Sequence, residues 1–356
     1  MKDSYNVIGL MSGTSGDGLD IAYCTFEKRA NWSFEIIHGE TVPFPEKMGK
    51  DLQYSHELDS LSLALLDVSF GKWMGEEVRK VVDKLAIEVD AVCSHGHTVF
   101  HQPQNGLSLQ IGNGWAMHQA AALPVINDFR MLDVQLGGQG APLVPIGDQL
   151  LFGEMDYCIN LGGIANISME KGDQRLAFDI CPFNLLLNRY AGAFGKPYDE
   201  DGLIAKKGKV LENVLDQLNR LSYYQKQGAK SLGREDLDVY FELLERSKEN
   251  APEDIMRTLV EHYVVQIMAV LSSSKSRKKS ILITGGGAFN KFFIERLGSS
   301  IEQYFEIEKV DESIVNFKEA LIFGFLGVLR MRGENNCLSS VTGAKRDNCG
   351  GTAYGL

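Results

Sequence analysis

The sequence contains no Cys-x-x-Cys pair. Its six cysteines, Cys24, Cys93, Cys158, Cys181, Cys337 and Cys349, lie far apart and several sit in apolar stretches. This argues against a disulfide framework and predicts free thiols in a reducing cytosol. No apolar run is long enough to cross a bilayer: the longest, residues 320–329, contains two glycines and falls short of the roughly 20 residues required. Asp3 and Asn6 interrupt any signal-like apolar segment at the N-terminus, so the chain is expected to be soluble and cytoplasmic, with no membrane partner. An excess of basic charge is also missing. Lys and Arg number 36 against 47 Asp and Glu, a formal net charge of −11. Non-specific nucleic-acid affinity comes from clustered cations that release counterions, so a nucleic-acid partner is not expected and small molecules are favoured. No repeat of about 20–50 residues is visible, which excludes solenoids and propellers. What remains is 356 residues, 44% hydrophobic and 23% charged, enough chain for two globular domains at roughly 150 residues each.

Apolar periodicity predicts strands at residues 5–11, 20–26, 91–93, 125–127, 157–161, 165–169, 175–178 and 280–284. Helices are expected over residues 56–85, 183–194, 203–220 and 254–271. In the first, Leu61, Leu65 and Val68, and further on Val78, Val81, Val82 and Leu85, recur at helical spacing. The charge-rich stretch 228–254 reads as a solvated helical insertion, and the basic run 275–279 as a solvated turn before a strand. Two strand–turn–strand units, at 7–24 and 157–169, echo one another and suggest duplicated domains facing a cleft.

The turns between these elements carry the chemistry. Gly13-Thr14-Ser15-Gly16-Asp17-Gly18-Leu19-Asp20 offers flexible backbone, two hydroxyls and two carboxylates. It can form an anion-binding nest with a carboxylate orienting hydrated Mg²⁺, or simply a tight hairpin. It matches neither the dinucleotide fingerprint nor the P-loop. Gly162 and Gly163, followed by Asn166, and Gly285-Gly286-Gly287 raise the same choice. Each Gly costs roughly 0.5–1 kcal/mol of ordering relative to Ala, so close approach of a base or ribose is a natural reason for three in a row, with a helix-entry turn as the alternative. His95, His97 and His101 lack an acidic or sulfur companion at suitable spacing, so polar contacts to a ligand are favoured and no protein-bound metal site is expected. Asp179 falls at the end of a strand, where a carboxylate can act as a general base or cap the helix that starts near Asn184.

Taken together these stretches resemble the anhydro-N-acetylmuramic acid kinase family. The resemblance runs through Gly13 to Asp20, His95-Gly96-His97-Thr98 with Gln110-Ile111-Gly112, Asp128-Phe129-Arg130, and Gly137-Gly138-Gln139-Gly140-Ala141-Pro142-Leu143-Val144-Pro145. It continues through Asn160 to Asn166, Lys196-Pro197-Tyr198-Asp199 with Asp201-Gly202, Gly285 to Gly287, Lys318-Glu319-Ala320 and Ser340-Val341-Thr342-Gly343-Ala344. It implies an α/β fold of two domains of the actin-like ATPase (ribonuclease H-like) type, with mixed sheets flanking an interdomain cleft. The domains would be residues 1–127, completed by about 336–356, and residues 128–335.

The implied activity is ATP-dependent: water opens the 1,6-anhydro ring of anhydro-N-acetylmuramic acid while O6 takes the γ-phosphate. N-acetylmuramic acid 6-phosphate and ADP would result, in peptidoglycan recycling and amino-sugar catabolism. Carried over, Asp179 is the catalytic base. Gly13, Thr14, Ser15, Gly16, Asp17, Gly18, Leu19, Asp20, Gly162, Gly163, Asn166, Gly285, Gly286 and Gly287 face ATP and Mg²⁺, and His95, His97, Thr98, Asp128, Arg130 and Glu319 face the sugar. The resemblance leaves room for a homodimer. The chain departs from the family where members read F-D-T-G-P-[GA]-N: here it is Phe178-Asp179-Ile180-Cys181-Pro182-Phe183-Asn184. Two further departures are His97 for Gln and Asn113 for Asp. Bulk beside the base motivates the alternatives of a nucleotide-binding sugar sensor or a kinase of another sugar.

Overall fold

The computed structural model describes residues 2–12, 18–226, 230–233, 235–272 and 277–356. Two compact units emerge, Met1–Gly153 with Phe317–Leu356, and Glu154–Asn316. These limits differ from the expected 127/128 and 335/336. The helix Val144–Leu151 belongs with the first unit, where Gly147 lies against Ile322, and the apolar part of the helix Glu312–Arg332 packs there too.

The first unit is built on β1 (Ser4–Ser12), β2 (Leu19–Lys28), β3 (Trp32–Val42), β4 (Ala91–Ser94), β5 (His97–Gln102), β6 (Leu107–Ile111) and β7 (Val125–Asn127). Its sheet runs β3-β2-β1-β4-β7, with β1, β4 and β7 parallel and β2 antiparallel to both neighbours. β5 and β6 form a separate hairpin. The second unit has β8 (Tyr157–Leu161), β9 (Ile164–Lys171), β10 (Gln174–Pro182), β11 (Lys279–Thr284) and β12 (Phe305–Ile307), in the order β10-β9-β8-β11-β12. Here β8, β11 and β12 are parallel and β9 is antiparallel to both neighbours. Each unit therefore repeats the same five-strand mixed sheet of the ribonuclease H type. β13 (Thr352–Tyr354) adds a sixth strand beside β7.

Central strands such as β1 are buried along most of their length and read as continuous apolar runs, whereas β3 at the sheet edge is only half covered. The helix Glu312–Arg332 crosses β1 at backbone distance: a Cβ on Gly9 would collide with the Ala320 carbonyl and lie 2.9 Å from the Gly324 nitrogen. Among the described residues no helix is long and apolar enough to cross a membrane.

Three expectations are corrected. The helix Ser60–Leu85 buries Leu66, Phe70, Trp73, Met74, Val78, Val81 and Val82, leaving Leu61, Leu65 and Val68 exposed. In place of one helix over 203–220 there is a single turn at Ala205–Lys207 and a helix at Glu212–Asn219: the Asp199 carboxylate accepts from the Ile204 and Ala205 N–H groups at the start of the first turn, and the backbone becomes extended at Gly208, which ends it. The supposed solvated insertion is also part of the second core, with Leu232, Leu237, Tyr240 and Leu244 buried.

Candidate functional site

In the second unit, strand register assembles a polar row. Asp179 on β10 stands opposite Asn166 on β9, Asn166 opposite Asn160 on β8, and Asn160 opposite Thr284 on β11. Directly paired residues share a face of the sheet, so four polar side chains line up close to the carboxyl ends of β8, β10 and β11, where α/β sheets receive ligands. Immediately beyond lie the Gly162-Gly163 turn and Gly285 to Gly287.

Asp179 does not cap the following helix, whose N-cap position is Phe183. Its backbone is fixed from three directions: its N–H donates to the Lys230 carbonyl at 3.0 Å, its carbonyl accepts from the Tyr223 hydroxyl at 2.6 Å, and a register shift follows it at Cys181. Oδ2 accepts from the Leu232 N–H at 2.8 Å and the Ser231 hydroxyl at 3.2 Å. No described residue donates to Oδ1. Burial raises the carboxyl above the usual aspartate range, and the two bonds to Oδ2 only partly offset it. A carboxylate so placed, with one oxygen anchored and one available, is equipped to accept a proton.

The glycines separate by function. A Cβ on Gly287 would sit 2.5 Å from the Phe183 ring and 2.7 Å from Leu161 Cβ, and Gly285 adopts φ +82° against Asn160 and Leu161. Close approach within the chain is thus by itself enough to require glycine at both positions. Gly286 is different: the nearest atom to its Cβ would be Asn184 Nδ2 at 3.8 Å. Gly162 is similarly open, its nearest neighbours at 3.6 Å and 3.7 Å.

In the first unit the candidate residues again lie just beyond parallel strands. His95 follows β4, and its Nε2 accepts from Arg130 Nε at 3.1 Å and Nη2 at 2.8 Å, while Nδ1 donates to the Gly96 carbonyl at 2.9 Å. Burial, with the guanidinium adding to it, holds this imidazole neutral, well below its ordinary pKa. Arg130 also donates to the Gly140 carbonyl at 2.7 Å, and burial lowers it to about 10, with Glu319 opposing that shift. His97 Nδ1 lies 3.0 Å from the Ser12 hydroxyl, and burial lowers the pKa of this imidazole, with the Leu52 backbone opposing the shift. Both ring nitrogens of His95 are thus engaged inside the protein. Thr98 pairs with Gln110 on the β5–β6 hairpin. Asp128, at φ +56°, lines an open cavity of about 460 Å³ with Asp67, Gln110, Asn113, Asn127 and Tyr354.

Replacing His97 by Ala is expected to cost about 1–3 kcal/mol through the unsatisfied groups left behind. His97→Gln, which retains an acceptor and a donor, should cost less than half of that in chemical denaturation; equal losses would contradict a stabilising His97–Ser12 bond.

A family model described as anhydro-N-acetylmuramic acid kinase matches residues 5–355. The chain belongs to that family. Curated anhydro-N-acetylmuramic acid kinases include one from Francisella tularensis subsp. novicida, 32% identical, with 97% of each chain covered. Another, from Sulfurimonas denitrificans, is 31% identical over 98% of each. Among solved structures, component A of the (R)-2-hydroxyglutaryl-CoA dehydratase of Acidaminococcus fermentans aligns at TM-score 0.45 and 12% identity, covering 89% of this chain and 95% of that one. A ROK hexokinase from Thermus thermophilus aligns at TM-score 0.36 and 11% identity, covering 91% and 99%.

For this member of the anhydro-N-acetylmuramic acid kinase family, the departures around Asp179 have a clear location. Ile180, Cys181 and Phe183 are buried in the second core, and the Phe183 ring packs 4.6 Å from Tyr263 and 4.9 Å from Phe293, centroid to centroid. Of the stretch Gly13 to Asp20, which the resemblance assigns to ATP, residues 13–17 lie outside the described residues. Gly18 is required by β3, since a Cβ there would be 2.5 Å from the Val42 carbonyl oxygen. The Asp20 carboxylate accepts from the Thr41 hydroxyl at 2.6 Å. Glu319 is not in the first turn of its helix, which begins at Glu312, and its neighbour Lys318 forms a buried ion pair with Asp148 at 2.7 Å. Sequence reading missed Tyr223, Ser231 and Leu232, the residues that hold Asp179. They lie 44 to 53 positions downstream, and no local pattern marks that contact.

Proposed function

We propose that this protein is a cytoplasmic ATP-dependent kinase of 1,6-anhydro-N-acetylmuramic acid, giving N-acetylmuramic acid 6-phosphate and ADP in cell-wall recycling and amino-sugar catabolism. The observation that carries this reading is Asp179, raised in pKa and anchored through Oδ2, at the head of a polar row in a chain of this family.

Asp179 Oδ1 accepts a proton from water as the water oxygen bonds to C1 and the C1–O6 bond breaks, as the base of an inverting glycosidase does. The electron pair leaves on O6, which bonds to the γ-phosphorus as the β–γ bridge opens to ADP, so no protein acid is needed for the leaving oxygen. Asn160, Asn166, Gly162 and Gly286 present polar atoms and open backbone to the nucleotide. Thr98, Asp128, Arg130 and Glu319 hold the sugar, His95 orients Arg130, and His97 supports the end of β1. Mg²⁺, when bound, would supply charge neutralisation at the phosphates. Asp17 or Asp20 would orient its waters.

With MgATP and the anhydro sugar in ¹⁸O-labelled water, one label should appear at the C1 hydroxyl and none in phosphate. ADP with label in phosphate and an intact anhydro ring would refute the reading. The sensor alternative loses its motive, since the bulky substitutions beside Asp179 fill core and not pocket.

The glycines give a second check. Gly287→Ala should destabilise the protein by about 1–3 kcal/mol through overpacking against Phe183. Gly286→Ala should melt like the parent yet bind ATP several-fold more weakly, as read by titration calorimetry.

A further inference from the structure

Two motifs in the first unit, Gly137 to Pro145 and Ser340 to Ala344, contribute no side chain to the chemistry above. They meet at one buried carboxylate. Asp133, on the short helix Met131–Gln135, is wholly inaccessible to solvent. Its Oδ1 accepts from the Thr342 hydroxyl at 2.9 Å, Asn348 Nδ2 at 2.8 Å and the Cys337 thiol at 3.1 Å, and its Oδ2 accepts from the Gly140 N–H at 2.8 Å. All three side-chain donors are themselves buried. Among the described residues no cation pairs with Asp133, so these four donors replace its hydration. Backbone bonds tighten the same junction: Gly138 N–H to the Asp133 carbonyl and Gln139 N–H to the Thr342 carbonyl.

The residue held by Oδ2 also meets Arg130, through its next peptide unit. Gly140 adopts φ +66°, its N–H bonds Asp133, and its carbonyl accepts from Arg130 Nη1, while the rest of the guanidinium fork holds His95. The Arg130 guanidinium donates to a carbonyl and an imidazole, while the Glu319 carboxylate acts on it electrostatically.

We propose that Asp133 is a positioning residue for the sugar. It ties the C-terminal segment to the Gly140 loop and through the Gly140 carbonyl aims the Arg130 guanidinium. This rests on the reading that Arg130 touches the sugar.

The test uses the full-length protein with MgATP and the anhydro sugar, and compares Asp133→Asn, Thr342→Val, Thr342→Ser, Arg130→Met and the double variant Asp133→Asn with Arg130→Met. Asp133→Asn turns an amide N–H₂ toward groups that are themselves donors. It should lower kcat/KM for the sugar about 10- to 100-fold, the scale of a misaimed binding group, with KM for ATP unchanged. Thr342→Val should give a smaller loss in the same parameter, and Thr342→Ser should restore it. In the Arg130→Met background Asp133→Asn should add little, because coupled groups are not additive.

If Arg130→Met impairs sugar use while Asp133→Asn and Thr342→Val leave it untouched, or if the two losses simply add, the positioning role is overturned and the sugar reading stands. If Arg130→Met itself has no effect on sugar kinetics, the contact assigned to Arg130 fails, and the positioning role with it. Should Asp133→Asn not fold, the Thr342 pair decides: equal kinetics for Val, Ser and parent would overturn the proposal.

Discussion

Asp179→Asn is expected to lower turnover about 10²–10⁴-fold, the usual worth of a positioned general base, with ATP affinity little changed. Steady-state kinetics and nucleotide titration check both halves, and near-parental turnover would remove Asp179 from the mechanism. The amide keeps an oxygen for the Leu232 N–H and the Ser231 hydroxyl, so the loss should not come from unfolding.

The pH dependence follows from the same group. Burial raises the folded-state pKa of Asp179 above its unfolded value, so the folded protein holds the proton more tightly. Its contribution to stability is then fully present below the unfolded pKa, near 3.9 for an unperturbed aspartate, and is lost as pH rises through the folded value. At neutral pH the ionised carboxylate costs stability that the neutral amide does not. Asp179→Asn should therefore melt at or above the parent temperature at pH 7, with the difference shrinking toward acid pH. Activity has the opposite sign: a base must be ionised, so kcat/KM for the parent falls on the acid side through a pKa above the ordinary aspartate value, and the residual activity of the variant lacks that limb. A variant that melts well below the parent at pH 7 would contradict this account of the site.

Phe183→Ala is the second large effect, and it falls on stability. The ring is fully buried between Tyr263 and Phe293, and the Tyr263 hydroxyl donates to the Phe183 carbonyl at 3.0 Å. Removing it leaves a cavity, at a cost of about 3–5 kcal/mol, to be read by calorimetric unfolding. At temperatures where the variant stays folded, its sugar preference should match the parent. A stable variant with a changed sugar preference would instead put Phe183 in the pocket wall.

Much of the framework was legible because strand patterns are local. β7 and β8 have the bounds expected from their apolar runs. His95 and Asp128 are legible as strand-end residues because Gly96 and a change from apolar to polar character follow them closely; Asp179 is expected at a strand end too, but β10 continues past it to Pro182. β3 was missed because an edge strand is half covered and carries Glu35, His38 and Glu40 among its apolar residues, which blurs its alternation. The helix Ser60–Leu85 carries two apolar stripes at helical spacing. Periodicity drew attention to Leu61, Leu65 and Val68, but the stripe with Phe70 and Trp73 offers more area to bury and faces the core.

The sequence alone determined the family, many of the central strands and the identity of the candidate base, since these rest on short local motifs and apolar runs. Only the tertiary structure decided why Gly287 must be glycine, which donors grip Asp179 and where Phe183 lies. Each of those depends on residues tens of positions apart being brought within a few ångströms. Packing at that distance is a property of the whole folded unit, and no window along the chain contains it.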